Sequence, residues 1–138
     1  MKTSRPDLRP DPRRAALERL LGRGGSSVSG LSQRDAAFAL RLRREVVVWR
    51  ARLDRALARF LRQPPGSLDR RTLEVLRLGA VQILVLGTPA HAAVSETVGL
   101  AGNPGARKLV NAVLRRLSAE GEEDDLPLHV RWSHPEEL

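Results

Sequence analysis

Between residues 38 and 60 the large apolar side chains fall at Phe38, Leu42, Val46, Trp49, Leu53, Leu57 and Phe60, in steps of 4, 4, 3, 4, 4 and 3. Those steps follow the 3.6-residue turn of an α-helix and put all seven side chains on one stripe. A strand alternates every second residue and would scatter them over both faces. The stretch must therefore be helical, in one piece or two, and must bury its stripe against other elements. Ser32, with Asp35 three residues later, resembles a capping box and sets the start; the pattern runs to about Leu61. The three valines at 46–48 are poor helix formers and predict a break nearby.

The same period recurs on either side. Arg13 to Leu21 reads as a helix with Ala16, Leu17, Leu20 and Leu21 on one face, ended by the glycine-rich run at 22–30. RQPPGS at 62–67 is a turn, and Asp69 can cap a helix that continues to about Leu86 with Leu73, Leu76, Ala80, Ile83 and Leu84 inward. Gly87-Thr88-Pro89 stops it and starts another, with Thr88 as N-cap and Pro89 at the first helical position, running to about Ala101. Asn103-Pro104-Gly105 reads as a turn. The last helix spans Ala106 to Ser118 with Leu109, Val110, Val113, Leu114 and Leu117 inward. No segment has the strand period and no repeat occurs, so the expected class is all-α. Residues 1–12, with three prolines, read as a flexible basic arm, 13–119 as the helical domain, and 120–138 as an acidic linker or tail.

Aromatic residues make up only 3% of the 138, against 41% hydrophobic, so the core must be Leu, Val and Ala. The chain has no cysteine, which excludes disulfides, thiolate metal sites and cysteine nucleophiles. No apolar run reaches bilayer length, and no apolar segment follows the charged start MKTSRPDLRPDPRR. A cytoplasmic protein without a membrane partner is expected.

Charge is divided unevenly. Residues 1–119 hold 23 Lys and Arg against 9 Asp and Glu, whereas residues 120–138 hold 1 against 7. A body this basic attracts polyanions, nucleic acid above all. Arg52, Arg55, Arg59 and Arg62 line one helical face, which reads as solvated. The acidic run from Glu120 to Asp125 reads as a solvated linker; folding back over the basic body is the alternative. Arg77 lies among apolar neighbours and is expected as a partly buried ion-pair partner, Asn111 as a buried hydrogen-bonding group, and Trp49 as core.

TPAHAAVSETV, residues 88–98, sets a His, a Ser and a Glu within six positions. On a helix His91 and Ser95 share a face, but Glu96 points elsewhere and cannot orient the imidazole. A helical serine also lacks the strained turn that exposes a nucleophile. His91 and Glu96 are instead expected to make hydrogen bonds near a helix start. The histidines lack metal-ligand spacing, and there is no phosphate-binding glycine loop. Catalytic, cofactor and metal residues are expected to be absent, so this chain is not expected to be an enzyme.

PAHAAVSETVGLA (89–101), KLVNAVLRRL (108–117) and RWSHPEEL (131–138) together resemble the NusB-like N-terminal domain of the RsmB, or Sun/Fmu, family. That family methylates carbon 5 of a cytosine in 16S rRNA with S-adenosylmethionine. RDAAFALRL, VVVWRARLDRALARFL and LEVLRLGAVQILVL look like the same domain, so the likeness covers about residues 13–138. The first two motifs are shared, more weakly, with the antitermination factor NusB; the SHP tail is what separates the two. The resemblance implies two packed three-helix bundles. The family keeps its cofactor and catalytic cysteines in a C-terminal domain, and a chain ending at Leu138 without cysteine departs from that. An excised or separated domain of an rRNA methyltransferase is therefore expected, with S-adenosylmethionine only in a missing catalytic domain. The alternatives are a NusB-type factor binding boxA RNA and a protein-docking helical module.

The resemblance also implies where RNA would bind: the arginine-rich start of helix 1, at Arg13 and Arg14, and the start of the last helix, at Gly105, Arg107 and Lys108. Arginine forks and free helix N–H groups both suit phosphate. Arg5 and Arg9 on the arm would extend that surface. The expected partner is RNA, 16S rRNA first, with a methyltransferase catalytic domain or a ribosomal protein as possible protein partners.

Overall fold

The computed structural model describes residues 10–23 and 30–122. Among these residues there are six α-helices and no strand: α1 (Pro12–Leu20), α2 (Gln33–Val48), α3 (Arg50–Ala58), α4 (Arg70–Leu84), α5 (Ala90–Val98) and α6 (Pro104–Glu120). The all-α expectation holds. The helices sort into two groups of three. In one, α1 and α3 flank α2; in the other, α4, α5 and α6 pack pairwise. All the other helices rest on α4.

Local chemistry sets most helix starts. Asp11, Ser32, Asp69 and Asn103 each accept a hydrogen bond from a backbone N–H in the first turn of α1, α2, α4 and α6. The break after the valines falls at Trp49, whose backbone (φ −99°, ψ 13°) leaves the helical region and divides α2 from α3. Two starts differ from expectation. Pro89, not Thr88, is the cap residue of α5, and no side chain caps it. Asn103-Pro104-Gly105 is not a free turn: Asn103 caps α6, and Pro104 and Gly105 form its first turn. Proline fits there because its missing N–H is one the helix leaves unpaired anyway.

The Asp69 cap has a pH consequence. Hydrogen bonding from the Thr72 side chain and backbone, helped by the Arg71 charge, holds its carboxyl below its ordinary value of 3.8. A carboxyl depressed in the folded state adds stability above its unfolded pKa and loses it as pH falls through the folded one. Asp69→Asn keeps a capping oxygen but cannot titrate. Its urea midpoint is expected to fall less steeply than wild type below about pH 4; parallel curves would contradict this origin of the shift.

The buried core is built from Leu, Val and Ala, as the lack of aromatics required; Phe38, Trp49 and Phe60 pack against its edge. The α4 face, however, differs from the one expected. Leu73, Ile83 and Leu84 are only half-buried, while Thr72, Glu74, Val75, Leu78, Val81 and Gln82 are buried with Leu76 and Ala80. A helix covered on most sides has no single apolar stripe to read. Gly79 makes room for α6: a Cβ there would collide with the δ-carbons of fully buried Leu114.

Two polar groups hold the helices in place. Gln82, fully buried on α4, accepts from Arg13 Nε of α1 (2.8 Å) and donates to Leu78 O (2.9 Å) and to Thr97 Oγ1 of α5 (3.0 Å). Arg77 of α4 forks onto Asp54 of α3 at 2.8 and 2.7 Å and reaches Glu74 at 3.4 Å, the ion pair expected of it. Burial by itself would lower the Arg77 pKa. The hydrogen bonds and charges of Asp54 and Glu74 outweigh it and raise the pKa above its ordinary value.

Candidate nucleic-acid interface

The question for a basic helical domain is which cations are already committed. Besides Arg13 and Arg77, Arg70 donates to Leu20 O at the end of α1 (2.9 Å), and Arg71 to Leu100 O after α5 (3.0 Å). Arg52, Arg59 and Arg116 pair with Glu120 or Glu122 at the end of α6. These guanidiniums serve as structural donors, and carboxylates answer the charge of Arg52, Arg59, Arg77 and Arg116 from within the chain.

The cations of α6 that face α5 are different. Arg107, Lys108 and Arg115 are exposed and have no carboxylate partner among the described residues. They share a helix face with Asn111, at the three- and four-residue spacing that stacks side chains along one side. Across from them α5 presents Ala90, His91, Val94, Ser95 and Val98. The two helices enclose an open groove. Its larger part, about 590 Å³, is lined by His91, Ser95, Asn111, Arg115 and Ser118; it continues past Asn111 to Gly105, Arg107 and Lys108. No acidic residue lines either part. From Pro104 to Ala119 the groove follows α6 for about 22 Å at the helical rise.

The start of α6 adds a fixed partial positive charge to one end of this groove. Asn103 Oδ1 takes the Ala106 N–H (2.8 Å). Gly105 is exposed and has no side chain of its own over the backbone there. Helix N-termini of this kind favour anions.

The residues expected to contact RNA thus fall in separate places. Gly105, Arg107 and Lys108 lie together on α6. Arg13 and Arg14 lie on α1, which packs on α2 and α4. Arg13 gives its Nε to Gln82 and stacks on Phe38, 5.3 Å from the ring centre, so only part of its fork is open. Arg14 is half-buried, and its Nε is enclosed without a partner among the described residues. Arg5 and Arg9 lie outside the described residues, as does the RWSHPEEL motif.

Sequence reasoning misses Arg115, Ser118 and the use of Asn111. Asn111 is half-buried on the groove wall, not a buried hydrogen-bonding group, and its amide has no partner among the described residues. The available signal is the spacing Arg107, Asn111, Arg115, which is one helix face. His91, Ser95 and Glu96 are all exposed, and none makes a side-chain hydrogen bond among the described residues; the one expected of His91 and Glu96 is absent there. His91 and Ser95 line the groove, and Glu96 does not. Among the described residues no cluster could hold a metal ion, and no helix is long and apolar enough to cross a membrane.

Comparison with known proteins agrees with this architecture. The chain is 38% identical over 96 residues to ribosomal RNA small subunit methyltransferase B of Pseudomonas putida, covering 67% of this chain and 22% of that protein. The same enzyme of Xanthomonas campestris is 37% identical over 100 residues, 70% of this chain and 23% of its own length. A transcription antitermination protein NusB from Synechococcus is 48% identical over a shorter stretch of 48 residues, 33% of this chain and 22% of the relative. The chain therefore spans about a fifth of the methyltransferases it matches. No solved structure matches it. The model of the NusB family matches residues 7–119, from before α1 almost to the end of α6, and on that match the chain belongs to the NusB family.

Proposed function

We propose that this domain binds RNA along the α5–α6 groove and positions small-subunit ribosomal RNA for a cytosine methyltransferase. The chemistry, with S-adenosylmethionine, belongs to residues other than these, and the setting is the cytoplasm. The observation that carries the reading is the row Arg107, Lys108 and Arg115: three exposed cations without carboxylate partners among the described residues, in a groove lined by no acidic residue. Phosphates lie against these cations and the α6 N-terminus. The open amide of Asn111 offers a donor and an acceptor to a base edge, and His91 and Ser95 face it across the groove. Arg13 and Arg14, with Arg5 and Arg9 on the arm, add longer-range attraction. Described aromatic rings are few, and each carries a stacked arginine of its own chain, so phosphate contact outweighs base stacking.

The likeness to the methyltransferases supports ribosomal RNA as the ligand. The likeness to an antitermination protein supports a second reading, in which the groove takes a boxA-type single strand. Fluorescence anisotropy over a salt series separates them, using a small-subunit rRNA hairpin with the candidate cytosine and a boxA strand. Preference for the hairpin is expected. The triple variant R107Q/K108Q/R115Q is expected to bind about tenfold or more weakly, with the slope of log affinity against log salt shallower by about 2. Preference for boxA selects the second reading. Equal binding by the triple variant removes the groove from the proposal, and no binding of either RNA leaves a protein-docking domain.

A further inference from the structure

The α3 arginine row is not the solvated face its spacing suggested. Gly121 ends α6 with φ 72°, a left-handed conformation that glycine adopts without strain, and the chain turns toward α3. Glu122 then meets Arg52 in a forked contact, with 3.1 Å from Nε to each carboxylate oxygen and 2.5 Å from Nη2. Arg59 donates to Gly121 O (3.0 Å) and reaches Glu120 (3.4 Å), which Arg116 also reaches at 3.3 Å. Aromatic rings lie beside the forks. Arg52 lies 5.2 Å from the centre of Trp49; Arg59 and Arg116 lie 5.1 and 4.9 Å from that of Phe60. Stacked guanidiniums that offer their edges to oxygen are suited to phosphate as well as to carboxylate.

Exposure shows how firmly the contact is seated. The side chains of Arg52 and Glu122 are 19% and 21% exposed, so the pair is partly withdrawn from water although it joins elements 70 residues apart. A solvated linker would leave both ends wet. Arg55 on α3, and Arg62 in the turn that follows the helix, are exposed and have no carboxylate partner among the described residues. The α3 face is thus half covered by the first acidic residues after α6 and half open.

We infer that α3 carries a second polyanion-binding face, and that the short acidic segment 120–122 at the end of α6, through Glu120 and Glu122, occupies it in competition with nucleic-acid phosphate. The segment raises the selectivity of the domain. A weak, sequence-blind polyanion must displace it, whereas an RNA seated in the α5–α6 groove need not. The inference is independent of which RNA that groove takes.

The test uses the full chain and two polyanions, a labelled oligouridine and a labelled heparin oligosaccharide, over a salt series, with thermal unfolding to check each variant's fold. E120Q/E122Q is expected to bind both about fivefold more tightly at low salt. The slope of log affinity against log salt for oligouridine should steepen by up to about 2, as Arg52, Arg59 and Arg116 lose these carboxylate contacts. Adding R52Q/R59Q should remove most of both gains, since Arg116 alone of the released cations remains. Unchanged affinity and slope in E120Q/E122Q would overturn the inference. So would a gain that persists in full in the fourfold variant, which has the wild-type net charge but lacks Arg52 and Arg59, or an equal gain in D35N/E96Q, which removes the same charge from α2 and α5 and would mark a general effect of net charge. A gain with heparin but no oligouridine binding in any variant would also overturn it, because the face would then not take nucleic-acid phosphate.

Discussion

Arg77→Met is expected to destabilise the protein by about 3–5 kcal/mol. The Arg77 side chain is 11% exposed, and its guanidinium answers two carboxylates at once, Asp54 by a fork and Glu74 singly. The Glu74 side chain is 3% exposed. Without Arg77 its nearest cation is Arg70, 3.8 Å away on a largely exposed side chain. A buried charge that has lost its partner costs more than the pair contributed, because its desolvation is no longer offset. Arg77 stays protonated well past neutral pH, since Asp54 and Glu74 raise its pKa above the ordinary value. A group so raised keeps its contribution at every pH below its unfolded pKa. The loss should therefore be the same at pH 6 and pH 8 in urea unfolding. Adding Glu74→Gln to Arg77→Met should recover part of the loss. A single-variant loss below about 1 kcal/mol would mean the three side chains act as an ordinary surface ion pair.

Gln82→Ala is expected to cost about 3 kcal/mol, from the cavity it leaves and from the polar groups it orphans. Thr97 Oγ1 is fully buried and would lose the amide that donates to it; Arg13 Nε would lose its acceptor. Gln82→Leu separates the two causes, because it keeps most of the volume and removes only the hydrogen bonds. It should cost about half as much. Amide hydrogen exchange adds a local readout: α1 should lose protection before α6, because Gln82 ties α1 to α4 while α6 packs on α4 by other contacts. If Gln82→Leu is as stable as wild type, the buried amide is dispensable to the fold.

Arg77 and Gln82 also mark how far the fold is legible in the sequence. Arg77 is legible as an ion-pair partner because a cation among leucines must find a charge. Its principal partner is not, because Asp54 lies 23 positions away on another helix. Gln82 gives no signal, since a glutamine in a helix is ordinarily solvated. The apolar face of α4 escapes prediction for the same reason. Its neighbours cover the glutamate, the glycine and the glutamine along with the leucines and valines, and the pattern of one exposed face does not exist there. The groove is half legible. Gly105, Arg107 and Lys108 stand out through resemblance to a family. Asn111 reads as an interior residue, and Arg115 and Ser118 carry no mark, because nothing in the sequence shows that α5 stops short of covering that side of α6.

What the sequence by itself determined is local and periodic. Apolar steps of three and four dictated helices, and Asp69 and Ser32 marked their starts through hydrogen bonds that span only three residues. The valines placed the break at Trp49, and the scarcity of aromatics dictated a core of Leu, Val and Ala. What only the tertiary structure decided is which of many similar arginines hold the fold and which remain open to a ligand. Arg52 and Arg115 are alike as residues. One meets a glutamate 70 positions away and the other meets none among the described residues. An arginine's charge is a property of the residue, but its availability depends on the carboxylates that folding brings to it.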